Sequence, residues 1–189
     1  MKRNYPLTLV CLFSLLSGCS VAGIRRHQPS VQNIRTAESL KNQYSVSGVE
    51  SDNPRASQRL NKRSMGCRMV NYELPTPLFT FVKDALTDEL DAARKLSPSG
   101  APISISVIEI DSDTSGMNDG YWNTHLIYDV NGKKYDIKKT TRFESAYMAD
   151  VACRNTGNAL TDALAENFAG FYRELAGAEQ AQPTKGTKK

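Results

Sequence analysis

The residues of this chain that could carry chemistry are few, and most fall in one stretch. From Asp111 to Gly120 the sequence reads Asp-Ser-Asp-Thr-Ser-Gly-Met-Asn-Asp-Gly. Asp111, Asp113 and Ser115 place oxygen donors at the first, third and fifth positions, Gly116 is sixth and Asp119 ninth. A hard cation needs such a density of oxygens, and the spacing matches the opening of a calcium loop. The twelfth position is Trp122 and not a bidentate glutamate, and the flanking segments read as strands. Two readings therefore stand: a calcium or small-ligand site built on 111–120, or a connector of turn-forming residues. His125 is one of two histidines, the other being His27. A catalytic base wants a nucleophile beside it and a group to orient it. Strand register offers only Tyr121, Asn123 and Thr140, and no G-x-S-x-G, H-E-x-x-H or P-loop pattern occurs. The expectation is a protein that is not an enzyme. Lys133, Lys134, Lys138, Lys139 and Arg142 crowd one hairpin. They could meet glycan, phosphate or an acidic partner, or form a solvated edge that resists strand-to-strand aggregation. Tyr121, Asn123, His125 and Ile127 fall on that hairpin's outer face and form a candidate docking surface.

The four cysteines divide by position: Cys11, Cys19, Cys67 and Cys153. Lys2 and Arg3 precede an apolar run from Leu7 to Leu16. That run is shorter than the roughly 20 residues needed to span a bilayer, and with small residues behind it reads as a secretory signal. Leu16-Ser17-Gly18-Cys19 resembles the lipobox of bacterial lipoproteins. The resemblance implies cleavage before Cys19, acylation of its sulfur and acylation of the new amino terminus. Ser20, in place of an aspartate, implies sorting to the outer membrane with the body in the periplasm. Buried methylenes hold such an anchor at about 0.8 kcal/mol each, and more than one chain makes it stable. Cys11 leaves with the signal. Cys67 and Cys153 remain, and in an oxidising compartment they are expected to form a disulfide. The loop of 86 residues between them makes such a bond worth about 4–5 kcal/mol in the chain-entropy model. No C-x-x-C spacing suggests redox work, and the two histidines are too few for a metal pair. No cofactor is expected beyond the covalent lipid.

With 189 residues, one domain is expected. The net charge of +4 hides an asymmetry, with +5 between Ser20 and Gly66 and −5 between Cys67 and Ala176. An acidic body in the envelope excludes nucleic acid as a partner. Residues 1–18 read as signal peptide, 19–66 as a lipidated, basic, flexible tether, 67–177 as the folded domain and 178–189 as a frayed tail. The tether is polar and lacks a sustained apolar period. As a random coil it would span roughly 35–40 Å. Its charges could touch anionic headgroups or only keep it extended.

Within the domain, Cys67–Leu74 suggests a first strand. Thr76-Pro77 opens a helix whose Leu78, Val82, Leu86, Leu90, Ala93 and Leu96 form one stripe. Ile103–Ile110 alternates like a strand and slips at Val107-Ile108, the mark of a bulge or of a strand covered on both faces. Asn131-Gly132 between alternating runs predicts a two-residue hairpin turn, pairing Val130 with Lys133, Tyr128 with Tyr135, Leu126 with Ile137 and Trp122 with Thr141. A last helix is predicted over about 147–176, capped by Gly177. The order β-α-β-β-β-α makes an α/β (α+β) two-layer sandwich, two helices on one face of a mainly antiparallel four-stranded sheet. This order resembles that of small envelope lipoproteins, including the lipopolysaccharide-assembly lipoprotein and auxiliary lipoproteins of ABC transport systems. The resemblance implies a non-enzymatic domain that docks onto a larger envelope assembly, with an envelope protein as partner.

Overall fold

The computed structural model describes residues 22–51, 61–62, 72–114 and 119–181. The elements run β1 (Ala22–Gly23), α1 (Val31–Glu38), β2 (Tyr44–Glu50), β3 (Asn61–Lys62), β4 (Tyr72–Glu73), α2 (Leu78–Ala92), β5 (Ala101–Asp113), β6 (Asp119–Val130), β7 (Lys133–Glu144) and α3 (Ala149–Ala181). This is an α+β fold: helices packed on a mixed sheet of strand order β2-β5-β6-β7. β2 lies parallel to β5, the other neighbours along this path are antiparallel, and the short β3 continues the same edge of β5 beyond β2.

The β6–β7 hairpin forms as its turn demands. Asn131 and Gly132 both take positive φ, 53° and 82°, and all four predicted pairs are in register. The expected slip in β5 is a bulge, with the register shifting between Val107 and Glu109. Burial changes parity across it, from Ile103, Ile105 and Val107 to Ile110, Ser112 and Thr114, because one extra residue rotates the following side chains to the other face. α3 covers the dry face. Phe171 stacks on Tyr128 at 4.1 Å between centroids, and Trp122 donates its indole N–H to the Thr156 carbonyl at 2.9 Å. Asn167 accepts from the Tyr128 hydroxyl at 2.7 Å and donates to Thr124 Oγ1 at 3.0 Å, so α3 is pinned to β6 by polar as well as apolar contacts.

The amino-terminal third corrects the sequence reading. The segment expected to be a tether is folded from Ala22 to Ser51. Ser30 caps α1 through its hydroxyl, and Ile24, Ala37, Leu40 and Tyr44 are buried in the core. β2 supplies the sheet's parallel edge, and Cys67–Asn71 of the predicted first strand lie outside the described residues. Of the predicted first strand, Tyr72–Glu73 pairs only with Ala22–Gly23, in a separate two-stranded ribbon. β2 sits where it does because Gly100 leaves room: a Cβ there would lie 2.5 Å from the Tyr44 backbone nitrogen. α2 ends earlier than the stripe suggested, at Ala92, where Arg94 turns left-handed at φ 56°. α3 runs past Gly177 to Ala181, so part of the expected tail is helix.

The reason for that extension is Glu179. Its carboxylate accepts from the Lys41 N–H at 2.6 Å, the Asn42 N–H at 3.2 Å, the Asn42 side chain and the Tyr44 hydroxyl. Burial alone would raise its pKa, but these hydrogen bonds outweigh burial and lower it. A lowered folded pKa stabilises fully above the unfolded value of 4.5 and is lost as pH falls through the folded value. Glu179→Ala should therefore cost on the order of 3 kcal/mol at pH 7. The deficit should shrink below the unfolded pKa, as read from urea melts across the acid range.

Candidate functional site

Alternation in β5, β6 and β7 sends every second side chain to the face that α2 and α3 do not cover. Tyr121, Asn123, His125 and Ile127, the candidate docking residues, project from β6 onto this one face. Tyr121 is exposed and the others are half-buried. The neighbouring strands differ in charge. Glu109, Asp111 and Asp113 of β5 pair with His125, Asn123 and Tyr121, which in turn pair with Lys138, Thr140 and Arg142 of β7. The face is thus acidic along β5, mixed along β7, where Asp136 and Glu144 alternate with Lys138 and Arg142, and polar-aromatic between them.

The β7 row is partly tied down. Arg142 donates to Asp119 Oδ1 at 3.1 and 2.8 Å, and with Phe143, Glu144 and Ser145 this pair lines an open cavity of about 540 Å³. His125 sits 2.6 Å, through Nε2, from Asp136 Oδ1. The sequence reading missed Asp136, because it lies on the diagonal of the register and not directly opposite. Thr140 donates to Asn123 at 2.8 Å. The residues named around His125 are therefore present, and Asp136 is the partner of its ring.

The described part of the predicted acidic loop, 111–114 and 119–120, is mostly strand. Asp111 and Asp113 end β5 and Asp119 begins β6, while Ser115 lies outside the described residues. Strand pairing sets Asp113 opposite Tyr121 and Asp119 opposite Glu144, and Arg142 reaches Asp119 diagonally. Among the described residues no group of three His, Cys, Asp or Glu side chains is placed to hold a metal. Added calcium is expected to leave the melting temperature of the soluble protein unchanged. A rise of several degrees, measured by calorimetry, would favour the ligand-site reading.

A second polar cluster was not legible. His27 and Glu89, 3% and 0% exposed, meet through Nε2 and Oε1 at 3.0 Å. Asn33 donates to the same oxygen at 3.0 Å and to the Ala165 carbonyl at 2.8 Å. Phe168 turns its ring edge-on to His27 at 5.9 Å. Outside this clamp Arg26 forks onto Asp88, and the two line a cavity of about 260 Å³ with His27, Thr76, Phe81 and Asp84. The cluster joins the amino-terminal segment to α2 and α3. Burial and the nearby Glu89 charge also push the Tyr128 and Tyr172 hydroxyls well above their usual pKa.

Cys153 is fully buried and held in a disulfide. Cys67 and the Leu16–Cys19 stretch lie outside the described residues.

No protein-family profile and no curated protein matches the sequence. Solved structures do match the fold. A Xanthomonas campestris protein of family DUF330 superposes with a TM-score of 0.55 at 15% identity, covering 84% of this chain and 99% of its own. A Caulobacter crescentus protein, provisionally described as a lipoprotein, gives a TM-score of 0.44 at 14% identity, covering 80% and 98%. The first of these establishes a shared architecture. Coverage of 84% exceeds what 67–189 alone could supply, so the match takes in residues ahead of Cys67. Among the described residues no helix is long and apolar enough to cross a membrane.

Proposed function

We propose that this chain is a lipid-anchored envelope protein of the outer membrane, its body in the periplasm. In this reading it serves without catalysis as an accessory or binding subunit of an envelope assembly or transport system. The observation that carries the proposal is Leu16-Ser17-Gly18-Cys19 behind a short charged and then apolar leader. The uncovered sheet face centred on Tyr121, Asn123, His125 and Ile127 is the binding surface. Its acidic β5 row beside a mixed β7 row favours a partner with a complementary pattern, which would add specificity more than affinity. A Cys67–Cys153 bond would tie the segment ahead of α2 to the start of α3.

Labelling cells with radioactive palmitate tests the anchor. The full-length protein should carry label and fractionate with the outer membrane. Cys19→Ala should lose the label and leave the membrane fraction. Equal membrane retention of the variant would remove the anchor from this account.

A further inference from the structure

β7 ends the sheet. The strand order β2-β5-β6-β7 gives it one neighbour, and among the described residues no strand pairs with its other side. The hairpin fixes which groups face that open side. Val130 and Lys133 flank the two-residue turn, and the pairing runs without a bulge to Glu144. In such a hairpin the flanking pair is hydrogen-bonded and every second pair after it likewise. Odd-numbered residues of β7 therefore turn their N–H and C=O groups toward β6, and even-numbered ones turn theirs outward. The outward residues are Lys134, Asp136, Lys138, Thr140, Arg142 and Glu144, all with exposed side chains. Among the described contacts the Glu144 carbonyl takes one hydrogen bond, from the Asn155 side chain at 3.2 Å, and a carbonyl oxygen can accept two. An open strand of 12 residues is a template for another strand.

We infer that β7 pairs antiparallel with β7 of a second copy of this chain, about a two-fold axis at Lys139. In that register Lys134 of each copy faces Glu144 of the other, Asp136 faces Arg142, and Lys138 faces Thr140. Symmetry makes each of these pairs twice, beside about twelve backbone hydrogen bonds. Neighbouring registers are rejected by charge. An axis at Lys138 sets Lys134 against Arg142 and Lys138 against itself. An axis at Thr140 sets Lys138 against Arg142 and Asp136 against Glu144. Like charges directly opposite destabilise a strand pair. An axis at Ile137 leaves Arg142 opposite the hairpin turn and Glu144 beyond it. A row of lysines alone would repel every strand, whereas this alternation of acid and base admits one register with its own copy. On the helix side Tyr135 then faces Phe143 and Ile137 faces Thr141, continuing the dry face across the join. The cost falls at the axis, where Lys139 meets Lys139. The Lys139 stem lies against Gly170 of α3. Glu166, bonded to Thr141 at 2.6 Å, and Glu174 stand one turn to either side of Gly170, and their charges offset that repulsion. The contact uses neither the lipid nor the face centred on His125. It leaves that face open and joins it into one surface across both copies.

A carbodiimide, which joins a carboxylate to an amine in contact with it, tests the register on unsubstituted full-length protein in mild detergent. Within one chain Lys134 and Glu144 lie ten steps apart along one strand, about 34 Å, so an amide between them joins two copies. Mass spectrometry of the crosslinked dimer should find Lys134 joined to Glu144. Lys134→Glu and Glu144→Lys should each weaken the dimer at least about tenfold in sedimentation, because each sets like charges face to face in both places. The combined variant should restore the dimer to within about threefold. Both side chains are exposed, and unchanged circular dichroism checks that each variant folds. A protein that stays monomeric at every concentration, or Lys134 joined only to Asp129 or Asp136, overturns the inference. So does a dimer indifferent to both single variants, or a combined variant no stronger than either.

Discussion

A chain shortened to begin at Cys67 should not fold. Polar composition made 19–66 look dispensable, yet the described part of it carries core. Burying Ile24, Leu40 and Tyr44 contributes about 1.5–3 kcal/mol each. Their loss together removes much of the roughly 5–15 kcal/mol that holds a domain of this size. The shortened chain also leaves β5 with an open edge and deprives Glu89 and Glu179 of their partners. A soluble form beginning at Ser20 should melt in one cooperative transition by calorimetry and circular dichroism. The form beginning at Cys67 should show none and should aggregate. A cooperative melt of the shorter chain within a few degrees of the longer would mean that the amino-terminal segment is an appendage.

The second large effect is expected at His27. Removing His27 leaves the fully buried Glu89 with Asn33 as its remaining donor among the described contacts and opens a cavity, together costing about 3 kcal/mol. His27→Ala should therefore lower stability by that amount in urea titrations at pH 7. Glu89→Gln keeps an oxygen to accept from both His27 and Asn33, so it should cost only about 1 kcal/mol. The contrast separates an oriented hydrogen-bonded clamp from mere volume, since His27→Ala also leaves a small cavity beside Phe168. Equal losses in the two variants would mean that the clamp depends on the Glu89 charge and not only on the oxygen that accepts from His27 and Asn33.

These sites also show what a single sequence reveals. The hairpin was readable pair by pair, because Asn131-Gly132 fixes the turn and strict alternation fixes which face is dry. The bulge in β5 was readable for the same reason, as a fault in a regular pattern. The amino-terminal segment offered no such regularity. α1 buries only Asn33 and Ala37, too few to draw a stripe. β2 breaks its own alternation where its register shifts between Val46 and Gly48. The cap at Ser30 was the one local signal available. His27 looked solitary because its partner is 62 residues away, and no local period links the two. The end of α3 was misjudged because Gly177 looks like a cap, whereas Glu179, held by the start of β2, carries the helix through it. In the acidic stretch, strand pairing extends through Asp113 and resumes at Asp119, which oxygen spacing alone does not reveal. Long-range contacts settle each of these cases.

The lipid on Cys19 matters more once the folded body is seen to begin within a few residues of it. Intact-mass spectrometry of the protein extracted from membranes tests this most directly. The account predicts a chain lacking Met1–Gly18, heavier than the bare polypeptide by acyl groups that map to Cys19. A chain that keeps those residues, or one cut elsewhere and unmodified at Cys19, would contradict it.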